Sequence, residues 1–373
     1  MKTTKKLTLN YTAEYQYYIK FLLNLFLIFS IGFMLLSFPE TASQGISNGI
    51  DLCLGTLIPS LYPFTILSSL IVNLNITDFI ESLSDWFSKL IFRLPGKCIG
   101  IIIMSLIGGY PIGAKMTKEL YENGKLSQND AQRLLLFCIN PGPAFTISSI
   151  GCYMLGSKTA GIAIYTSVIL SSLIIGILSR VLAQETEKIK KSSANEYNSF
   201  SEALVKSISN GTTVMLSICA WVCIFSCFNM LTEITSLSNE VKFTINCLSE
   251  VTNACMVACG NLPLPIIAGI IAFGGICTHF QIMSSISETK LKYKYFIVSR
   301  IIHGALSAFI CNIIMKYVDI SYEVFSAGTL PKKSPFSVSP AISILMFALC
   351  SMLLIGNSLN IKIKANKKAQ DFT

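Results

Sequence analysis

The chain has 373 residues, 52% of them hydrophobic and 13% charged, with a mean hydropathy of +0.60. Soluble domains average about 25% charged residues, so this composition cannot cover a large water-facing surface and excludes a sizeable soluble domain, a disordered chain and a secreted disulfide scaffold. The net charge of +9, from 29 Lys and Arg against 20 Asp and Glu, reads as a membrane-topology signal rather than a nucleic-acid footprint.

A bilayer core of ~30 Å takes about 20 apolar residues in a helix. Lys2, Lys5 and Lys6 precede the run Phe21 to Phe38, which is long for a signal peptide and reads as an uncleaved first helix. Further full spans are expected at Ile50 to Val72, Leu134 to Met154, Gly161 to Leu182, Thr213 to Leu231, Phe243 to Cys259, Phe296 to Met315 and Ile342 to Ile355. Between them, Asp78 to Leu94 alternates around Trp86 like an interfacial amphipathic helix. Gly100 to Glu119 and Ile266 to Ser287 start apolar, meet a glycine pair and turn polar, which predicts broken or re-entrant helices. The stretch Gln184 to Ser199 is a polar linker near the middle. The expected fold is an all-α polytopic membrane protein with about 8 transmembrane helices plus two glycine-broken or re-entrant hairpins in two related repeats. The divisions are 1–40 for the basic segment and first helix, 41–182 and 200–317 for the repeats, 183–199 for a cytosolic linker, and 318–373 for a loop, last helix and basic tail.

With both termini in the cytosol, 24 basic residues fall inside, 3 (Lys158, Lys332, Lys333) outside, and Lys242 and Lys316 at span ends. The thirteen cysteines form no CxxC pair and no Cys/His cluster. Cys219, Cys223 and Cys227 recur every four residues, as do Cys255 and Cys259, which fits small-residue helix packing better than redox or metal chemistry.

The broken segments resemble each other. IIIMSLIGGYPIGAKMTK (Ile101 to Lys118) and GIIAFGGICTHFQIMS (Gly269 to Ser284) align Gly108-Gly109 with Gly274-Gly275 and Lys115 with Gln281, and Arg133 and Arg300 follow at similar distances. Glycine costs ~1 kcal/mol relative to alanine inside a helix, and Pro111 removes a donor, so each pair marks a break. Unwound backbone at mid-membrane is how secondary transporters face a solute, and packing kinks are the alternative. Asn140-Pro141-Gly142-Pro143 interrupts another span, Pro59 and Pro63 break LIPSLYPF, and Glu250, Thr252 and Asn253 sit among apolar neighbours in LSEVTNAC. A charge at helix centre costs ~2.5–3.5 kcal/mol or more, so Glu250 needs a reason to be there; Asp51 is explained equally well by an interfacial position. Both histidines, His279 and His303, fall in the second half. An enzyme is not expected: no HExxH, G-x-S-x-G, GxGD or GxxxxGK[ST] motif occurs, and no cofactor or metal is implied.

At GGYPIGAK (Gly108 to Lys115), FCINPGPAF (Phe137 to Phe145), LSEVTNA (Leu248 to Ala254), FGGICTHFQ (Phe273 to Gln281) and RIIHG (Arg300 to Gly304) the sequence resembles the YlbJ family of sporulation integral membrane proteins, which carry the nucleoside-recognition Gate domain. The resemblance runs from about Ala42 to about Tyr317 and departs from the commoner pattern at Ile139, where a polar residue is expected. It implies a secondary transporter that moves dipicolinic acid, a small aromatic dicarboxylate, from the mother cell across the outer forespore membrane. More distantly it implies kinship with nucleoside transporters. By position it carries over Gly108, Gly109, Lys115, Asn140, Asn253, Gly274, Gly275, His279, Gln281, Arg300 and His303 as substrate-binding candidates, with Glu250 as the ion-coupling candidate for H+ or Na+. The partners it implies are a small anionic solute, the lipid bilayer, a coupling ion and a second copy of the chain, with no nucleic acid. A dicarboxylate calls for cationic or N–H donors and an apolar slot, which Lys115, Arg133, Arg300, the histidines and half-helix N-termini can supply. Arg133 and Arg300 read equally as inside-facing topology residues. The rivals are a non-transporting scaffold in spore assembly, a Gate-type transporter of nucleosides or another organic anion, and an intramembrane enzyme. Four spans between the two glycine-broken segments would make the repeats parallel; a re-entrant NPGPAF or EVTNA segment would invert them.

Overall fold

The computed structural model describes residues 2–183, 199–287 and 289–320, and all regular structure there is helical. The linker Gln184 to Ser199, apart from Ser199, and the expected last span Ile342 to Ile355 lie outside the described residues. Multiple apolar helices make the chain a multi-pass integral membrane protein: five described stretches are long and apolar enough to cross a bilayer, namely Pro39–Asn73, Lys158–Leu182, Phe200–Glu233, Leu264–Ile286 and Tyr293–Tyr317.

Helix α1 is Lys2–Ser37, and α2 (Pro39–Leu52) runs on through a π-helical turn at Cys53–Leu57 into α3 (Ile58–Asn73). Pro59 has no N–H to offer the carbonyl a turn earlier, so the helix widens just before it instead of ending. Helix α9 (Phe200–Glu233) lies antiparallel along this whole stretch. A Cβ at Gly45 would stand 2.6 Å from Cys227 Cα and one at Gly49 2.6 Å from Cys223 Cα, while further along Tyr62 bonds Thr212 and Asn73 bonds Ser207. Backbones close this tightly wherever small residues face each other, the usual basis of helix association in lipid.

Helix α4 (Ile76–Phe92) is amphipathic, with Phe79, Leu83 and Trp86 exposed. Asp85 Oδ1 accepts the Gly96 N–H at 3.0 Å and Oδ2 the Lys89 ammonium at 2.5 Å, folding the following loop back on the helix. Burial would raise the Asp85 pKa, but these two hydrogen bonds and the Lys97 charge outweigh it and hold the carboxyl below its usual value.

Helices α5 (Cys98–Gly108) and α6 (Tyr110–Glu122) form a hairpin that returns to the face it left. Lys97 before it pairs with Glu81, and Lys125 after it bonds Asn75 and Asp78 at 2.8 Å, so both ends are tied to α4. A Cβ at Gly113 on α6 would lie 2.9 Å from Ser105 Cβ on α5. Gly109 makes the turn with φ 98°, where a side chain would be strained and would also meet Leu61.

Helix α7 (Gln128–Phe137), capped by Ser127, stops at the Asn140–Pro143 break and resumes as a π-helical stretch at Ala144–Met154. The expected unbroken span Leu134 to Met154 is therefore corrected to a broken crossing, because two prolines and Asn140 leave no run of backbone donors. Helix α8 (Lys158–Leu178) returns, and its end is tied to the start of α7 by Asn129 on Leu182 O and Arg133 on Ser179 O.

Helices α10 (Asn239–Ser249) and α11 (Val251–Ala258) pack on each other across an extended residue, Glu250 (φ −141°, ψ 129°). The expected span Phe243 to Cys259 is thus a hairpin. In contrast α12 (Leu264–Phe273) and α13 (Gly275–Ile286) run end to end across Gly274, and α14 (Tyr293–Tyr317) follows. The loop before α14 sits beside α7, with Gln128 on Lys290 O and Gln132 on Lys292 O.

These ties sort the loops onto two faces. Residues 73–97, 123–133, 179–182, 199–207 and 289–292 share one face, which carries Lys89, Arg93, Lys97 and Lys125. The starts of α2, α8, α10 and α12 share the other. One glycine pair thus lies in a hairpin and the other in a crossing, and the alignment of Lys115 with Gln281 does not hold.

Candidate functional site

Four helix breaks meet at the centre. A Cβ at Gly142 would stand 3.0 Å from Ile107 O and 3.4 Å from Gly109 N, so the α7 break presses on the α5–α6 turn. A Cβ at Gly275 would stand 3.1 Å from Val251 N and 3.3 Å from Glu250 Cα, so the α12–α13 break presses on the α10–α11 turn. Breaks tolerate this depth because protein groups satisfy the freed backbone. Tyr110 OH donates to Ile271 O at 2.7 Å, and Tyr165 OH to Leu106 O at 2.8 Å. Arg300 donates to Ile139 O at 2.5 Å and Leu136 O at 2.7 Å, reaching from α14 to the end of α7.

Between the breaks and the α3–α9 pair lies a small, partly open cavity. Its apolar wall includes Leu57, Leu61, Ile218 and Val222, with Tyr110 and Phe145 opposite; its polar groups are Ser60, Glu250, Thr252, Thr278 and Gln281. Among the described residues, no Lys, Arg or His lines it. Glu250 is 3% exposed, and its Oε2 accepts the Asn253 N–H at 2.8 Å, a charged cap on α11. The Thr252 side chain lies beside it, a further buried polar group on the cavity wall.

Of the residues picked out by sequence, Gly109, Glu250 and Gln281 border the cavity. Gly108 and Gly275 adjoin it through the breaks they form, and Gly274 (φ 88°) turns α12 into α13. Asn253 bonds Ser226 on α9 at 3.3 Å, and Asn140 bonds Phe137 O and Ser172. His279 sits against Phe273 and Phe296 with Nδ1 2.8 Å from Gly275 O, and His303 Nε2 lies 3.0 Å from Val168 O. Each ring, like Arg300, meets a backbone carbonyl outside the cavity, while His279 Nε2 and Arg300 Nε stay buried without a hydrogen-bond partner. Arg133 likewise holds the carbonyls of Phe92, Arg93 and Ser179. Lys115 lies further along α6, its Nζ 3.3 Å from Thr65 O. Gly142 and Thr252 were noted only as parts of breaks, and Ser60, Tyr110, Phe145 and Thr278 were not picked out, although each lies within a few residues of a recognised Gly, Pro or Glu break. Among the described residues no three His, Cys, Asp or Glu side chains converge as metal ligands.

Residues 54–158, which contain the α5–α6 hairpin and the α7 break, match the family model described as Gate, nucleoside recognition. Sporulation integral membrane protein YlbJ of Bacillus subtilis (strain 168) is similar to the chain, 23% identical over 323 residues, covering 75% of this chain and 79% of that protein. No solved structure matches the chain.

Proposed function

We propose that this protein is a secondary transporter acting in sporulation. Its solute, dipicolinic acid, would bind in the central cavity and cross the outer forespore membrane out of the mother cell. The observation that carries the transport reading is the cavity and what lines it: four broken segments, two from each side of the linker, converge on one partly open, mostly apolar space with a few polar groups. The sporulation setting rests on the likeness to YlbJ.

The order of elements supports two inverted repeats, α2–α8 and α9–α14. Each has a long span, a hairpin, a broken crossing and a final span. The first arms of the hairpins, α5 and α10, both have 11 residues, and the first arms of the crossings, α7 and α12, both have 10. Three crossings separate the start of one proposed repeat from the start of the next, which would put the second upside down, in keeping with the antiparallel α3–α9 pair. Alternating access by rocking one repeat against the other follows from that relation. Cysteine labelling at Ser236 and Lys290 tests it: the two should react from opposite sides of the membrane, and labelling from one side would refute the inversion.

Uptake of radiolabelled dipicolinate into proteoliposomes tests the function. No uptake above empty liposomes under any ion gradient would sink it. A second reading, a nucleoside or another neutral ring-bearing solute, is favoured by the lining, where a single carboxylate and uncharged hydroxyl and amide groups face two aromatic rings. Competition of uptake by unlabelled nucleosides separates the two.

A further inference from the structure

A polar seam leads from the cavity to the basic face between α3, α6 and α9. Helices α3 and α6 touch the cavity near their starts, through Leu61 and Tyr110, and α9 touches it near its middle, through Ile218; all three run from there to the basic face. Along that run α3 presents Thr65, Ser68 and Ser69, all fully buried, and α6 presents Lys115, 7% exposed, and Glu119 one turn further on. The Glu119 Oε1 accepts Ser69 Oγ at 3.5 Å, and Ser69 is reached in turn by Asn210 of α9 at 3.3 Å. Its other oxygen, Oε2, is buried with no partner. Lys115, with three protons to give, has the one acceptor at 3.3 Å. A half-buried acid with one buried, unpartnered oxygen and a buried amine at i, i+4 are costly in a membrane unless they are used.

The cavity supplies the use. An anionic solute entering it meets the Glu250 carboxylate and no lining cation, so positive charge must come from elsewhere. The remaining charges acting on Glu119 are Lys206 of α9 and Glu122 on its own helix, and α3 contributes none. Lys115 is therefore the cation nearest the cavity in the seam, and while Glu119 is ionised its charge is cancelled by a neighbour one turn away.

We propose that Glu119 is a proton-binding site that couples solute movement to pH. One proton taken from the basic face neutralises the Glu119 carboxylate, the Lys115 ammonium is left uncompensated, and its charge, one turn of α6 beyond Pro111 of the cavity wall, admits the anion. Proton and anion then cross together and leave together. This rests on the transport reading above.

The test is dipicolinate exchange in proteoliposomes with equal pH on both sides. Wild-type exchange should fall by about tenfold as pH rises through the titration of Glu119, a coupling within the usual ~5–150-fold range. Glu119→Gln, fixed in the neutral form, should exchange at high pH as wild type does at low pH, with no pH dependence, and should not acidify the vesicles during uptake. Lys115→Met should lose exchange at every pH. A Glu119→Gln protein that keeps the wild-type pH slope, or that folds and exchanges nothing, overturns the proposal. If that variant does not fold, Glu119→Asp should shift the pH profile, and an unshifted profile overturns it too. Wild-type exchange without any pH dependence refutes coupling and leaves transport standing; no wild-type exchange at all refutes transport itself.

Discussion

Arg300 separates two uses of a buried cation. In sequence it stands as a solute-binding candidate, whereas in the structure its guanidinium, 1% exposed, spans to the end of α7 and donates to Ile139 O and Leu136 O. Charge-assisted hydrogen bonds contribute about 1.5–3 kcal/mol each, so removing both costs at most about 3–6 kcal/mol. Two terms reduce that figure. Leu136 O keeps a bond from Ser299 Oγ at 2.7 Å, and a neutral replacement no longer buries a charge. Arg300→Met should therefore lose about 2–4 kcal/mol. At roughly 2 °C per kcal/mol for a chain of this size, the melting temperature in detergent should fall by about 4–8 °C. Arg300→Lys keeps the charge but not the fork, reaches one carbonyl, and should recover no more than about half of the loss. Melting followed by tryptophan fluorescence, beside dipicolinate binding at a temperature where both variants are folded, reads stability and solute recognition separately. An Arg300→Met protein with unchanged melting and abolished binding would refute the helix-end role.

Three further outcomes follow from the packing and the cavity. Gly49→Val puts methyl groups where a Cβ already comes 2.6 Å from Cys223 Cα, and should cost about 1–3 kcal/mol by spreading α2 from α9; Gly55→Ala, with nothing within 4 Å, should change melting by less than about 0.5 kcal/mol, and equal effects would refute the contact. Because the Asp85 carboxyl is held below its usual pKa in the fold, its contribution is complete above the ordinary carboxylate range and disappears as pH falls through the lowered value. Asp85→Asn should accordingly flatten the acid limb of a plot of melting against pH, and an unchanged limb would remove Asp85 from the account. Glu250→Gln keeps an oxygen for the Asn253 N–H but removes the charge, so a dianion should bind about tenfold more tightly, whereas a neutral solute that donates hydrogen bonds should bind more weakly; equilibrium binding that moves for neither places Glu250 away from the solute.

The long spans were legible because length and composition suffice for them: Gly161 to Leu182, Thr213 to Leu231 and Phe296 to Met315 all fall on α8, α9 and α14. The hairpin at Glu250 was not, because the apolar run continues through it and one polar residue in helical register does not announce an extended φ. The glycine pairs were visible as breaks, but their kind was not, since returning or crossing is decided by what the ends touch. Gly108-Gly109 lies in a hairpin because Lys97 and Lys125 are both held by α4, pairings with residues 16 and 47 positions away in sequence. At the site, rarity was a fair guide to burial and a poor one to role. Arg133, Arg300, His279 and His303 are buried as their scarcity predicts, yet each meets a main-chain carbonyl. A sequence does not distinguish a cation that awaits a solute from one that satisfies a helix end.

That use of charge also bears on which parts can move. The broken segments are cross-tied: Tyr110 holds α6 to α12, Arg300 holds α14 to α7, and Tyr165 holds α8 to α5. Each tie reaches a carbonyl that a membrane cannot otherwise satisfy, so breaking it is expensive. The α3–α9 pair, by contrast, meets the cavity with Leu57, Leu61, Ile218 and Val222, and apolar contacts slide at little cost. Polar bonds between this pair and the hairpins sit at opposite ends: Lys115 to Thr65 and Glu119 to Ser69 toward the basic face, Asn253 to Ser226 and Ser249 to Asn229 toward the other. A rocking motion that opens one end therefore releases one set while the other stays made. Protonation of Glu119 would weaken only the first set, giving the proposed proton a direct hold on the end at the basic face.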